Sequence, residues 1–170
     1  VMLANNKSTI MVTLTAAALA LTVGGPALAG VAISCPVVFR IGKLVKCSTG
    51  KFVVDPDGNV KSTTGCAGLT NPPPAAGQCI IQTDGTAGTK NVRIDFKTHS
   101  ATLTRGAANI NLDKLRMTYT GATVPATAIT ITPAQVSAGV TVNLGARVAL
   151  SPGLTIGTYN GGIIVRANTI

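Results

Sequence analysis

Glutamate and tryptophan are absent from this sequence, histidine occurs once, as His99, and only 3% of residues are aromatic. Asp55, Asp57, Asp84, Asp95 and Asp113 are the only acidic side chains. General acid–base chemistry needs proton-transfer groups that can be tuned in pairs. So small an inventory argues against an ordinary hydrolase, transferase or metalloenzyme, and no catalytic residue is assigned. Charged residues make up 11% of the chain, and Leu, Gln and Glu give way to Gly, Thr, Val and Asn. That composition disfavours long helices and suits strands. No Walker loop, dinucleotide fingerprint or G-x-S-x-G elbow occurs, and no cofactor is expected.

The apolar residues are unevenly placed. Met2–Ser8 is polar with one cation, Lys7, and Ile10–Val23 is almost wholly apolar or Thr. Gly24-Gly25-Pro26 then breaks the run, and Ala27-Leu28-Ala29 precedes Gly30. A short basic region, an apolar stretch and a small-x-small site together read as a cleavable secretory signal. A permanent span would want a longer run. Lipid attachment at Cys35 is disfavoured, because Ala32 and Ile33 stand where a Leu-like residue is needed. The expected organisation is therefore a signal helix over 1–29 and one domain over 30–170. The product would be exported to the periplasm, the cell surface or the medium, meeting the membrane only in transit.

Four cysteines, Cys35, Cys47, Cys66 and Cys79, fall in the exported part. An even count in an oxidising compartment reads as disulfides, with three possible connectivities. Sequence neighbours, Cys35–Cys47 and Cys66–Cys79, are the favoured pairing, each bracketing a strand–turn–strand or loop. Loops this short would stabilise the fold by about 3 kcal/mol each. Zinc is disfavoured, since no C-x-x-C and no neighbouring histidine are present.

Period-2 alternation dominates the rest. Val31, Ile33, Cys35, Val37 and Phe39 form one row, interrupted at Pro36. Phe52-Val53-Val54, Asp55-Pro56-Asp57-Gly58-Asn59 and Val60 read as a hairpin. The turn only superficially resembles a calcium loop, because glycine falls at position four and no Glu follows. Asn71–Gly77 is a stiff proline-rich loop, followed by a short strand at Cys79-Ile80-Ile81. Val92, Ile94 and Phe96 face opposite to Arg93, Asp95 and Lys97, the clearest half-buried strand. Ile110, Leu112, Leu115 and Met117 are less regular and allow a short helical turn. Ala128–Thr132, Val140–Leu144, Val148–Leu150 after a bend at Gly145, and Gly161–Ile170 complete an all-β reading. About eight to ten antiparallel strands with turns every ten or so residues mean a sandwich or barrel.

Several fragments in order resemble a secreted bacterial family, the domain of unknown function 4402 family. They are Phe39–Leu44, Gly50–Gly58, Gly145–Val148 and Gly157–Gly161. The resemblance implies an immunoglobulin-like (pilin-like) β-sandwich related to subunits of surface pili and adhesins, with no catalytic residues. Fibre subunits joined by strand exchange carry a long alternating N-terminal arm. Only Gly30–Ser34 precede Cys35 in the processed chain, so a standard arm is not expected.

Without Lys7, thirteen cations face five acids, a net charge of +8. Arg40, Lys43, Lys46, Lys51 and Lys61 concentrate early and form a candidate patch for anionic polymers. Specific nucleic-acid recognition is not expected, because Phe39, Phe52, Phe96, Tyr119 and Tyr159 stand mostly at core-like positions rather than as a stacking platform. Lysines on strand edges also discourage indiscriminate pairing. The leading expectation is a non-enzymatic surface subunit, fimbria-like or adhesive, that contacts copies of itself or other surface subunits. The alternative is a monomeric module binding anionic polysaccharide through the basic face.

Overall fold

A computed structural model describes residues 8–14, 30–42, 47–66, 73–83, 90–120, 122, 125–151, 154 and 156–170. Two antiparallel sheets pack as a sandwich. The smaller contains, in order, β1 (Ser8–Leu14), β11 (Gly161–Thr169), β6 (Val92–Phe96) and β9 (Ala128–Ile131). The larger contains β2 (Val31–Val37), β5 (Gly77–Thr83), β10 (Val140–Leu150), β3 (Cys47–Val54) and β4 (Val60–Cys66), with β8 (Ala108–Tyr119) and β7 (Ala101–Arg105) attached to β10. Ten of these strands lie within 30–170, as the alternation predicts. Residues 8–14, expected within a signal helix, are extended instead; the remainder of 1–29 lies outside the described residues.

The strands form because their alternation supplies one apolar row each. β6 buries Val92, Ile94 and Phe96, and β10 buries Val140, Val142, Leu144, Ala146, Val148 and Leu150. β10 organises the larger sheet. Its Val140–Leu144 half pairs with β5 and its Ala146–Leu150 half with β3 along the same edge, while β8 takes the other. Gly145 sits at the switch. A Cβ there would strike the Val54 carbonyl oxygen and approach the Pro56 nitrogen to 2.6 Å, so the residue must lack one.

One local expectation changes and two elements are added. Ile110–Met117 is not a helical turn; it belongs to β8, whose periodicity is broken by a bulge. Between the pairs Arg116↔Gly145 and Asp113↔Arg147, β10 supplies one residue and β8 two. Lys114 takes the extra place with φ 47°, the one described non-glycine residue in the left-handed region. A short helix, α1 (Pro133–Ala138), carries the chain from β9 to β10. Thr132 caps it, Pro133 occupies the first turn, and the Gln135 side chain accepts the Thr132 N–H at 2.8 Å. β7, which the alternation of Ala101–Arg105 could have suggested, pairs with β8 around a turn at Gly106.

The disulfide pairing is corrected. Cys35 is bonded to Cys79, not to Cys47. Sheet order decides this: β5 lies beside β2, so Cys79 meets Cys35, whereas Cys66 on β4 is the register partner of Cys47 on β3. Pro36 cannot donate to the ladder, and the β2–β5 register slips between Ser34 and Val37. The covalent bond sits at that gap. With a sequence separation of 44 between the cysteines, chain entropy assigns it about 4 kcal/mol.

Non-reducing peptide mapping is expected to recover Cys35 linked to Cys79 and Cys47 linked to Cys66; a Cys35–Cys47 peptide would refute the sheet order given above. Gly145→Ala should lower stability by about 1–3 kcal/mol through overpacking against Val54 and Pro56, read as a reduced thermal midpoint. An unchanged midpoint would show that the approach relaxes without cost.

Candidate interaction surface

The bulge in β8 decides what the larger sheet shows to solvent. Leu112 and Leu115 are both buried, so the two residues between them, Asp113 and Lys114, are left on the outer side. Arg147 stands opposite Asp113 on β10. Its Nε donates to Asp113 Oδ1 at 2.6 Å, and its Nη2 bonds Oδ2, a two-pronged pairing. Lys51, opposite Ala149 on β3, lies on the same outer row as Arg147. The hydrogen bond from Arg147 holds the Asp113 carboxyl below the ordinary aspartate value, with further help from the charges of Arg147, Lys114 and Lys51. The same bond raises Arg147. One carboxylate thus sits among three cations. Arg116 adds a fourth nearby on β8, half-buried, with its Nη1 donating to the Leu115 carbonyl at 3.2 Å.

The cations expected from the sequence fare differently. Lys51 and Lys61 lie on the adjacent strands β3 and β4, where their register partners are Thr64 and Val53 rather than each other. Lys61 is exposed, and its Nζ lies 2.7 Å from Asp55 Oδ2; that hydrogen bond raises the ammonium group. Arg40 is exposed in an isolated bridge to Ala75, outside these strands. Lys43 and Lys46 lie outside the described residues. The cluster around Asp113 was missed. Its only trace in the sequence is Leu112-Asp113-Lys114-Leu115, where two apolar residues stand three apart with charges between.

The Asp55–Asn59 turn behaves as a hairpin turn. Gly58 donates its N–H to the Asp55 carbonyl at 2.9 Å and has φ 87°, which glycine adopts freely. Asn59 donates to Asp57 from its backbone N–H at 3.1 Å and from Nδ2 at 2.7 Å. These bonds, the backbone one foremost, lower Asp57. The turn and Pro74–Gln78 border an open depression of about 330 Å³, where Gln78 Nε2 donates to Asn143 Oδ1 at 3.2 Å. It holds amides and one engaged carboxylate. His99 is exposed in the bend after β6. On the smaller sheet, Asp95 accepts from Arg166 Nε at 2.8 Å and has Arg93 Nε at 3.8 Å. Among the described residues no group of three or more His, Cys, Asp or Glu could hold a metal ion, and no helix is long and apolar enough to cross a membrane.

A family model described as Domain of unknown function (DUF4402) matches residues 31–168. The chain belongs to this family. The match begins at the first residue of β2 and ends within β11, so in this DUF4402 domain the Asp113 cluster, the Cys35–Cys79 bond and the 55–59 turn all fall inside it. No curated protein and no solved structure matches the chain.

The lowered carboxyls set an acid limb. Asp113 and Asp57 bind protons less readily folded than unfolded, so their contribution is present above the ordinary value of 3.8 and is lost as pH falls through the lowered values. Asp113 retains 35% side-chain exposure, so solvent screening keeps its pair with Arg147 weak. Asp113→Asn should therefore lower the neutral-pH thermal midpoint by about 2–4 °C and flatten its decline below about pH 4. Parallel acid limbs in the two proteins would exclude Asp113 as a source of the pH dependence.

Proposed function

We propose that this DUF4402 domain is an exported, non-enzymatic bacterial surface protein that serves as a structural subunit of a fimbria-like or adhesive assembly. The observation that carries this reading is where its charged groups are spent. Asp55, Asp57, Asp95 and Asp113 are each tied to a cation or an amide in a turn or on an outer sheet face. None of these pairs gathers around a nucleophile. The interior is filled with apolar side chains from both sheets. Such a body offers broad Thr-, Asn- and charge-bearing faces for contact. Export is supported by the apolar Ile10–Val23 run with Ala27-Leu28-Ala29 after it, and by the disulfide, which persists in oxidising compartments.

A second reading is favoured by one arrangement, Lys51, Lys114 and Arg147 around the single Asp113 carboxylate. That cluster suits an anionic polysaccharide approached through long-range attraction.

Immunogold electron microscopy of cell-surface fractions is expected to label filaments or surface assemblies. Label confined to unassembled material, with salt-sensitive retention on a sulfated-polysaccharide column that falls in Lys114→Gln, would replace the structural reading with the binding one.

A further inference from the structure

β1 lies antiparallel along β11 through seven consecutive pairs, from Ser8↔Ala167 to Leu14↔Gly161. The opposite edge of β11 is taken by β6 and, at its start, by the Thr104–Asn160 bridge. The backbone shows which groups face which way. The Ile164 carbonyl accepts from Lys97 N–H, and Ile170 N–H donates to the Asn91 carbonyl, both at 2.9 Å. Even-numbered amides of β11 therefore face β6, and by the alternation of a strand Gly161, Ile163, Val165 and Ala167 face β1. Opposite the buried Ile163, Val165 and Ala167, the register places Val12, Ile10 and Ser8.

This edge differs from those of β2, β4 and β9. β2 carries Pro36 and a register slip, β4 carries Lys61 and two slips, and β9 is four residues long with Pro133 just beyond. All are devices that discourage further pairing. β11 has no proline and nine residues, and its single cation, Arg166, is held by Asp95. Nothing but β1 covers its odd-numbered amides among the described residues. Yet β1 lies within residues 1–29, whose removal accompanies the export proposed above.

We infer that the β11 edge is a strand-acceptor site, and that once residues 1–29 are removed its occupant is an extended segment of a different polypeptide, apolar at alternate positions as Ser8–Leu14 is. A second copy does not supply that segment from its own start, because β2 is paired to β5 and bonded through Cys35 to Cys79. From the proposed function the inference takes only the removal of 1–29. The acceptor edge itself rests on register and edge chemistry. Backbone hydrogen bonds give such an addition its affinity, and alternate side chains give it selectivity.

Hydrogen exchange on the purified full chain tests this without reference to filaments. The odd-numbered amides of Gly161–Ala167 should be as slow as the even-numbered ones. In Ile10→Pro/Val12→Pro, which removes two donors aimed at β11, the odd-numbered amides should exchange at least about tenfold faster, with even-numbered amides and β6 unchanged. A synthetic peptide of residues 8–14 flanked by lysines should restore their protection, and a scrambled peptide should not. Should the double variant fail to fold, Ile10→Asp alone serves as a milder opening of the same edge. Odd-numbered amides that exchange freely in the unmodified chain, a peptide that fails to protect a folded variant, or a β11-to-β11 dimer that excludes it would overturn the acceptor site. N-terminal sequencing of the exported protein should begin at Gly30; a retained β1 would overturn the foreign occupant and leave the surface role standing.

Discussion

β10 must serve three neighbours with two edges, and the rest of the larger sheet follows from that constraint. A straight strand cannot pair with β5 and β3 on one side unless those two meet end to end, and they meet at Gly145. The missing Cβ lets Val54 and Pro56 close over the junction. The same junction brings the 55–59 turn beside the Pro74–Gln78 segment, which borders the shallow depression. On the other edge β8 bulges across from it, and the register resumes at Asp113↔Arg147. One glycine therefore governs a sheet junction, a surface depression and the neighbourhood of the basic cluster.

The charge pattern is a product of backbone irregularity rather than of sequence clustering. Among the described residues, the cations crowded early in the chain divide between a lysine already held by Asp55, an arginine in a bridge to Ala75, and Lys51. Lys51 finds its neighbours from strands more than sixty residues away. Because the bulge turns two consecutive residues of β8 outward, an acid and a base share a spot that regular alternation would have split between core and solvent. The Arg147–Asp113 pair then spans the two strands where regular pairing resumes.

Much of the layering was legible because half-buried strands announce themselves by period. Val92–Phe96 and the Asp55–Asn59 turn appear where their patterns place them, since alternation and turn chemistry are local properties. Leu112–Leu115 misled because a bulge and a helical turn both put apolar residues three apart. Thr132-Pro133-Ala134-Gln135 carried the signature of a capped helix, but six residues are too few for a period to register. The cysteines failed for a different reason. Proximity in sequence predicts pairing only when strands neighbour in order, and here β5 rather than β3 lies next to β2. Of the expected cation patch, Lys51 joins the Asp113 cluster while Lys61 pairs with Asp55, since long-range register is not written in local spacing.

The Cys35–Cys79 bond joins neighbouring strands of one sheet, close to the start of the family match. A pull applied at Gly30 passes along five residues and then crosses the bond into β5, whose hydrogen bonds continue into β10. Peeling can open only the four rungs from Val31 to Ser34 before the bond delivers the tension to the middle of the sheet, where many rungs must shear together. Beyond Cys35, the rest of β2 bears none of that load.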